Sequence, residues 1–462
     1  MRLGRLAAIL IAGVIAPILD TTIVNVALGT LGRELRAPVA DVQWVVTAYL
    51  LALAAAIPLT GWSVARFGGR RMWLVSLALF LGGSALCAAA WNIGALVAFR
   101  AVQGFGAGLM IPIMQTLLVQ AAHGRPLGRL MATISLPALV GPIFGPVVGG
   151  LIVGHASWRW VFLVNVPVCV VALALAAWKL PAELDDRGEA YRLDVIGLAL
   201  LSPGLAAGIY GLSQVANRGT AADARVLVPL AAFVVLLGAF GWHTRRTRAV
   251  PVVDLRLFRS RPFAAASALL FLAGLALFGA MLLLPLYYQQ VRGASVVTAG
   301  LLLVPQGIGS LLVRPALGRF IDRIGPRAVV LAGVALTLAG TVPFALGWPE
   351  WALAAALVVR GGGLTGVLLA VMTAAYEGLE RSAVPHASSA TRIAQQVGGA
   401  FGAAVLAVIL QHQGGSAAAF RHSFWWAAGF TLLAVAPALL LPARAPAASP
   451  AVTAPTAPLP AR

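Results

Sequence analysis

Uninterrupted apolar runs of about 20 residues recur from one end of the sequence to the other, and no other feature constrains the fold as tightly. At 1.5 Å per residue, a helix of ~20 residues crosses a ~30 Å hydrocarbon core. The alternation expected of barrel strands is absent. Inside lipid the backbone has to satisfy its own polar groups, so the runs are read as helices. Fourteen spans are placed: 6–28, 44–65, 73–91, 93–118, 130–153, 160–178, 194–214, 226–243, 263–290, 297–316, 328–347, 351–376, 393–411 and 423–441. Charged residues make up 10% of the chain, against roughly 25% in soluble domains.

The net charge of +19 has a topological origin. With the N-terminus in the cytoplasm, most of the 33 lysines and arginines fall in cytoplasmic segments, as the positive-inside rule requires. Nucleic acid is therefore excluded as a partner, and the bilayer is the partner. The opening "MRLGRLAAILIAGVIAP" runs on in apolar residues to Leu28 with no small-residue cleavage signal, so it is read as an uncleaved span. Cys87 and Cys169 both fall within spans, where neither a disulfide nor a metal site is expected; no cofactor is implied. The Pro- and Ala-rich stretch 442–462 is expected to be disordered.

An internal repeat organises the spans. "PLTGWSVARFGGRR" from Pro58 matches "PALGRFIDRIGPR" from Pro315 at an offset of 257, which pairs Gly61 with Gly318, Arg66 with Arg323, Gly68 with Gly325 and Arg70 with Arg327. "GPIFG" at Gly141 and "GGAFG" at Gly398 keep that offset, and Arg100 and Arg360 lie 260 apart, each followed by glycines. Parallel repeats of six spans are the consequence, related by an axis along the membrane normal. The expected organisation is a six-helix bundle over 1–178, an insertion with two further spans over 179–262, and a second six-helix bundle over 263–441. The fold class is an all-α polytopic membrane protein.

With these motifs the chain resembles the major facilitator superfamily, in its fourteen-span drug:proton antiporter branch. The resemblance rests on "LDTTIVNVAL", "GWSVARFGGRR", "RAVQGFGAG", "GPIFGPVVGG", "SWRWVFLVNVP", "DLRLFRSRPF" and "LPLYYQQVRG". One departure stands out. The family's loop motif usually places Asp before Arg; Asp322 precedes Arg323, but Ala65 precedes Arg66.

Of the 14 acids, only Asp20 falls deep within a span, and all six histidines map to the periphery. A carboxylate at a helix centre costs at least ~2.5 kcal/mol, which makes function the default reading; an anchor for helix packing is the alternative. Counting along the helices puts Asp20 and Arg100 at the same depth, with Gln103 one turn beyond Arg100 on the same face. The resemblance implies proton coupling or gating for this group. Arg100 capping backbone carbonyls is the plainer alternative.

Gly141, Gly145 and Gly149 form a stripe, with Pro142 and Pro146 beside it and Gly150 following. Such a stripe suits close helix packing, and the resemblance makes it the antiporter motif that seals the outward leak path between the halves. The loop residues Gly61, Arg66, Gly68, Arg70 and Arg71, with Gly318, Asp322, Arg323, Gly325 and Arg327, are by the same resemblance the cytoplasmic gate. Asn25, Tyr287, Tyr288, Gln289 and Arg360 are candidates for the cavity wall, although the two tyrosines suit an interfacial aromatic belt equally well.

The expected function is a proton-coupled antiporter, acting as a monomer in the cell's inner (plasma) membrane with both termini cytoplasmic. It would export lipophilic, often cationic, small molecules in exchange for protons. Export of a specific endogenous metabolite is the alternative, and a transporter-like sensor a remote one. The longest inner loops, 179–193 and 244–262, hold no nucleophile–base set, so an enzyme is not expected.

Overall fold

The computed structural model describes residues 3–121, 145, 148–181, 193–218, 223–247, 253–380, 383–412 and 416–443. The first repeat holds α1 (Leu3–Glu34), α2 (Val39–Ala56), α3 (Leu59–Phe67), α4 (Gly69–Ala88), α5 (Ile93–Ala121), α6 (Trp160–Leu163) and α7 (Asn165–Lys179). Two helices follow, α8 (Val195–Arg218) and α9 (Ala224–Arg246). Then come α10 (Arg261–Gln290), α11 (Val296–Leu302), α12 (Val304–Ile324), α13 (Pro326–Leu346), α14 (Glu350–Tyr376), α15 (Val384–His412), α16 (Ala417–Leu433) and α17 (Val435–Ala438).

Among the described residues, 11 helices are long and apolar enough to cross a membrane, or up to 12 when the bent pair α2–α3 is taken as one span. That pair bends by 56° around Pro58, whose nitrogen has no proton to continue the helical ladder. Two expected spans remain. Most of 130–153 lies outside the described residues, as do Gly141, Pro142 and Pro146, and 423–441 is divided between α16 and α17. The stretch 444–462 also lies outside.

Matching sets of helices pack alike. In the first half α5 lies against α2 and α4, and in the second α14 lies against α12 and α13. Lipid supplies no hydrophobic drive for helix association, so close van der Waals approach has to provide it. A side chain at Gly104 or Gly108 would strike the backbone of Tyr49 or Leu53, and one at Gly361 the backbone of Gln306. Gly68 (φ 89°) and Gly325 (φ 85°) end α3 and α12 in the same positive-φ conformation, which L side chains avoid. Their spacing equals the sequence offset.

One expectation needs correction. The sequence places a span at 393–411 and His386 at the periphery. α15 instead begins at Val384, and His386 is buried. The polar residues of "PHASSATRIAQQ" return bonds to their own helix, Ser388 and Ser389 to the Pro385 carbonyl and Thr391 to that of Ala387. They also face the other half: Thr116 Oγ1 lies 3.0 Å from Ser388 Oγ, and Tyr376 donates to Gln115 Oε1 at 3.3 Å.

The apolar core is divided unequally along the bundle. At the end carrying Gly68 and Gly325, one cluster joins both halves, from Leu6, Leu10 and Trp73 to Leu269, Val371 and Ala387. At the opposite end each half keeps its own cluster among the described residues, Ile23, Val45 and Phe162 in the first and Leu283, Phe344 and Phe424 in the second. Among the described residues, the shared apolar cluster joins the halves at that one end. The inserted α8 packs on both α2 and α15, while α9 is largely exposed and faces outward.

Candidate functional site

Six helices bring one buried polar network together. Asp20 comes from α1, one turn after Pro17, and is fully buried. Arg100 Nη1 donates to Asp20 Oδ2 at 2.5 Å. Gln103 Nε2 and Asn165 Nδ2 donate to Asp20 Oδ1 at 3.0 and 2.9 Å. Arg100 also donates through Nε to the Val45 carbonyl at 3.1 Å and through Nη1 to Gln103 Oε1 at 2.7 Å. Ser84 Oγ accepts from both amides at 3.1 Å and donates to the Phe162 carbonyl at 3.0 Å. Below the guanidinium lies the Tyr49 ring, its centroid 4.0 Å from Arg100 Cζ, a cation–π contact in a desolvated setting.

This arrangement decides how Asp20 tolerates burial. Two ionised groups removed from water cost several kcal/mol each unless geometry and hydrogen bonds compensate. Here both carboxylate oxygens accept, and the positive partner is as buried as the negative one. The depth count along α1 and α5 thus brought together Asp20, Arg100 and Gln103. It missed Asn165, Ser84 and Tyr49. Asn165 sits within "SWRWVFLVNVP", the one polar residue in an apolar setting there. Cys87, free and buried, points its Sγ at Gln103 Oε1, 3.6 Å away.

The other candidates separate into three groups. A side chain at Gly145 would collide with Thr22, and one at Gly149 would lie 3.3 Å from Ile23 Cα; Gly150 has open space. The described part of the stripe therefore packs on α1, within its own half. Tyr287 and Tyr288 are buried in an aromatic core with Phe344, Phe420 and Phe424, so they belong neither to an interfacial belt nor to an open cavity wall. Gln289 is half-buried, and Asn25 is exposed with no partner in the network.

At the sealed end, Gly61 lies against the His386 ring, where a Cβ would come within 3.2 Å of Nδ1. Gly318 is likewise buried in α12. Arg70 donates to the Ala177 carbonyl at 2.8 Å, while Arg66 at the end of α3, Arg71 at the start of α4 and Arg323 at the end of α12 are exposed, with Arg327 half-buried. Glu377 stands near Asp322; burial, and then that neighbouring acid, push its carboxyl above the ordinary range. Restoring the missing acid with Ala65→Asp, beside Arg66, is expected to tighten this end. Labelling of a cysteine introduced there should fall severalfold, with a change in transport rate. An unchanged rate and labelling pattern would remove this loop from the gate.

Comparison with known proteins bears on the family and the fold. The profile of the Major Facilitator Superfamily matches residues 10–403 and 267–462. A multidrug resistance protein B homolog of Mycobacterium tuberculosis is 39% identical over 424 residues, covering 91% of this chain and 77% of that protein. The multidrug export protein EmrB of Escherichia coli is 30% identical over 404 residues, covering 84% and 76%. Among solved structures, the proton:xylose symporter XylE superposes with a TM-score of 0.67 at 13% identity, covering 94% of each chain. The human organic anion transporter MFSD10 does so with a TM-score of 0.66 at 17% identity, covering 95% of this chain and 99% of that one. At those identities the likeness concerns the fold.

Proposed function

The chain belongs to the Major Facilitator Superfamily, and from that premise we propose that it is a proton-coupled antiporter exporting lipophilic, often cationic, compounds by alternating access. The observation that carries the reading is Asp20: a fully buried carboxyl, held by Arg100, Gln103 and Asn165. Such a group has a functional reading by default. The names of the export relatives support the direction of transport.

In this reading the two six-helix halves, 1–178 and 263–441, rock about a central cavity, with 179–262 as an added helix pair. The sealed end faces the cytoplasm of the cell carrying the protein in its plasma membrane, since the basic loops cluster there. The arrangement is then the outward-facing one. A proton arriving at Asp20 loosens its bond to Arg100, frees the α1–α5 contact and releases substrate. Deprotonation toward the cytoplasm re-forms the pair and readies the site for the next substrate.

Everted vesicles test this. With an acid interior they should accumulate ethidium, and a protonophore should collapse the accumulation. Accumulation indifferent to the protonophore would overturn proton coupling.

A further inference from the structure

The second half contains a counterpart of the Asp20 site, and it lacks the acid. Arg360 is buried on α14, and the offset of 257 puts it at the place of Gln103, with Leu357 at that of Arg100. Its Nη1 donates to Gln306 Oε1 at 2.8 Å, its Nε to Thr341 Oγ1 at 3.3 Å and its Nη2 to the Ala276 carbonyl at 3.2 Å. The offset of 257 relates Gln306 to Tyr49, Thr341 to Ser84, and Ala276 to Leu19. It also relates the apolar Leu277 to Asp20.

All three bonds go to neutral acceptors. A guanidinium has five N–H donors, so two stay available, and its full charge lacks a counter-ion among the described residues. Uncompensated buried cations are costly, and a ligand that brings the missing charge gains what an internal acid would have supplied. Gln306, which bonds Arg360, is only half-buried.

We propose that Arg360, with Gln306 and Thr341, is the receptor for a single anionic group, a carboxylate or sulfonate on an apolar body. The inference rests on the reading that a cavity lies between the halves. It extends the substrates to lipophilic anions and to zwitterions whose positive end looks toward Asp20.

The test uses the full chain in lipid nanodiscs and energy transfer from its tryptophans to pyrene. 1-Pyrenebutyrate should bind at least tenfold tighter than 1-pyrenebutanol, which has the same body without the charge. Arg360→Gln should erase that preference and leave the alcohol unchanged, while Arg360→Lys keeps most of it. Leu277→Asp, which supplies an internal carboxylate and leaves the arginine in place, should also erase it. Equal binding of the two probes by the unaltered protein, equal loss of both in Arg360→Gln, or a preference retained in Leu277→Asp would each overturn the proposal. Proton coupling is read separately, on ethidium, so failure here leaves that reading standing and the reverse.

Discussion

Asp20→Asn is expected to abolish gradient-driven efflux of a monovalent cationic dye while the chain still inserts. Asn is the same size, and its side-chain carbonyl can accept from Gln103 and Asn165 as Asp20 Oδ1 now does. What it cannot do is hold a proton or neutralise Arg100. Removing one partner of a buried ion pair costs about 3–5 kcal/mol because the other is left uncompensated, so thermal stability should fall as well. Two readouts separate coupling from collapse. Driven uptake of ethidium into everted vesicles should drop at least tenfold, whereas downhill exchange of preloaded dye should persist. Asp20→Glu, which restores a protonatable group with one added methylene, should recover part of the driven uptake. Full gradient-dependent uptake by Asp20→Asn would sink the proposal and leave Asp20 as a packing residue.

The sequence made the architecture readable because lipid imposes a simple length rule, and most spans obey it. It made Asp20, Arg100 and Gln103 readable because depth along a helix is a count of residues, and equal depth in neighbouring helices permits contact. Lateral position is a different quantity. Nothing in the order of residues says that α4 and α7 turn Ser84 and Asn165 toward α1, since that depends on glycine-mediated crossings such as Gly83 against the Gln103 backbone. The start of α15 was lost for a related reason. A helix whose polar residues face another helix fails an apolar-run criterion although it crosses the same interior. Tyr287 and Tyr288 were read by composition, and composition does not distinguish an aromatic core from an aromatic belt.

The second large effect is expected at Gly145. Its Cα faces Thr22 on α1, two residues beyond Asp20, and any side chain there would meet the Thr22 Oγ1 and Cβ atoms. Thr22 cannot simply turn aside, because its hydroxyl donates to the Leu19 carbonyl at 2.9 Å, within the turn that presents Asp20. Overpacking by a few methylenes typically costs about 1–3 kcal/mol. Here the displaced element carries the carboxyl, so Asp20 would move relative to Arg100, and hydrogen bonds at 2.5–3.0 Å do not survive a 1 Å shift. Gly145→Leu should therefore reduce driven efflux at least tenfold in protein that still reaches the membrane, and Gly145→Ala less. Thr22→Gly, which clears the opposing Cβ, should restore much of the activity of Gly145→Ala, as direct contact requires and two independent defects would not. Wild-type transport by Gly145→Leu would mean that α1 and this helix tolerate separation. An unrescued Gly145→Ala would place the defect elsewhere in the stripe.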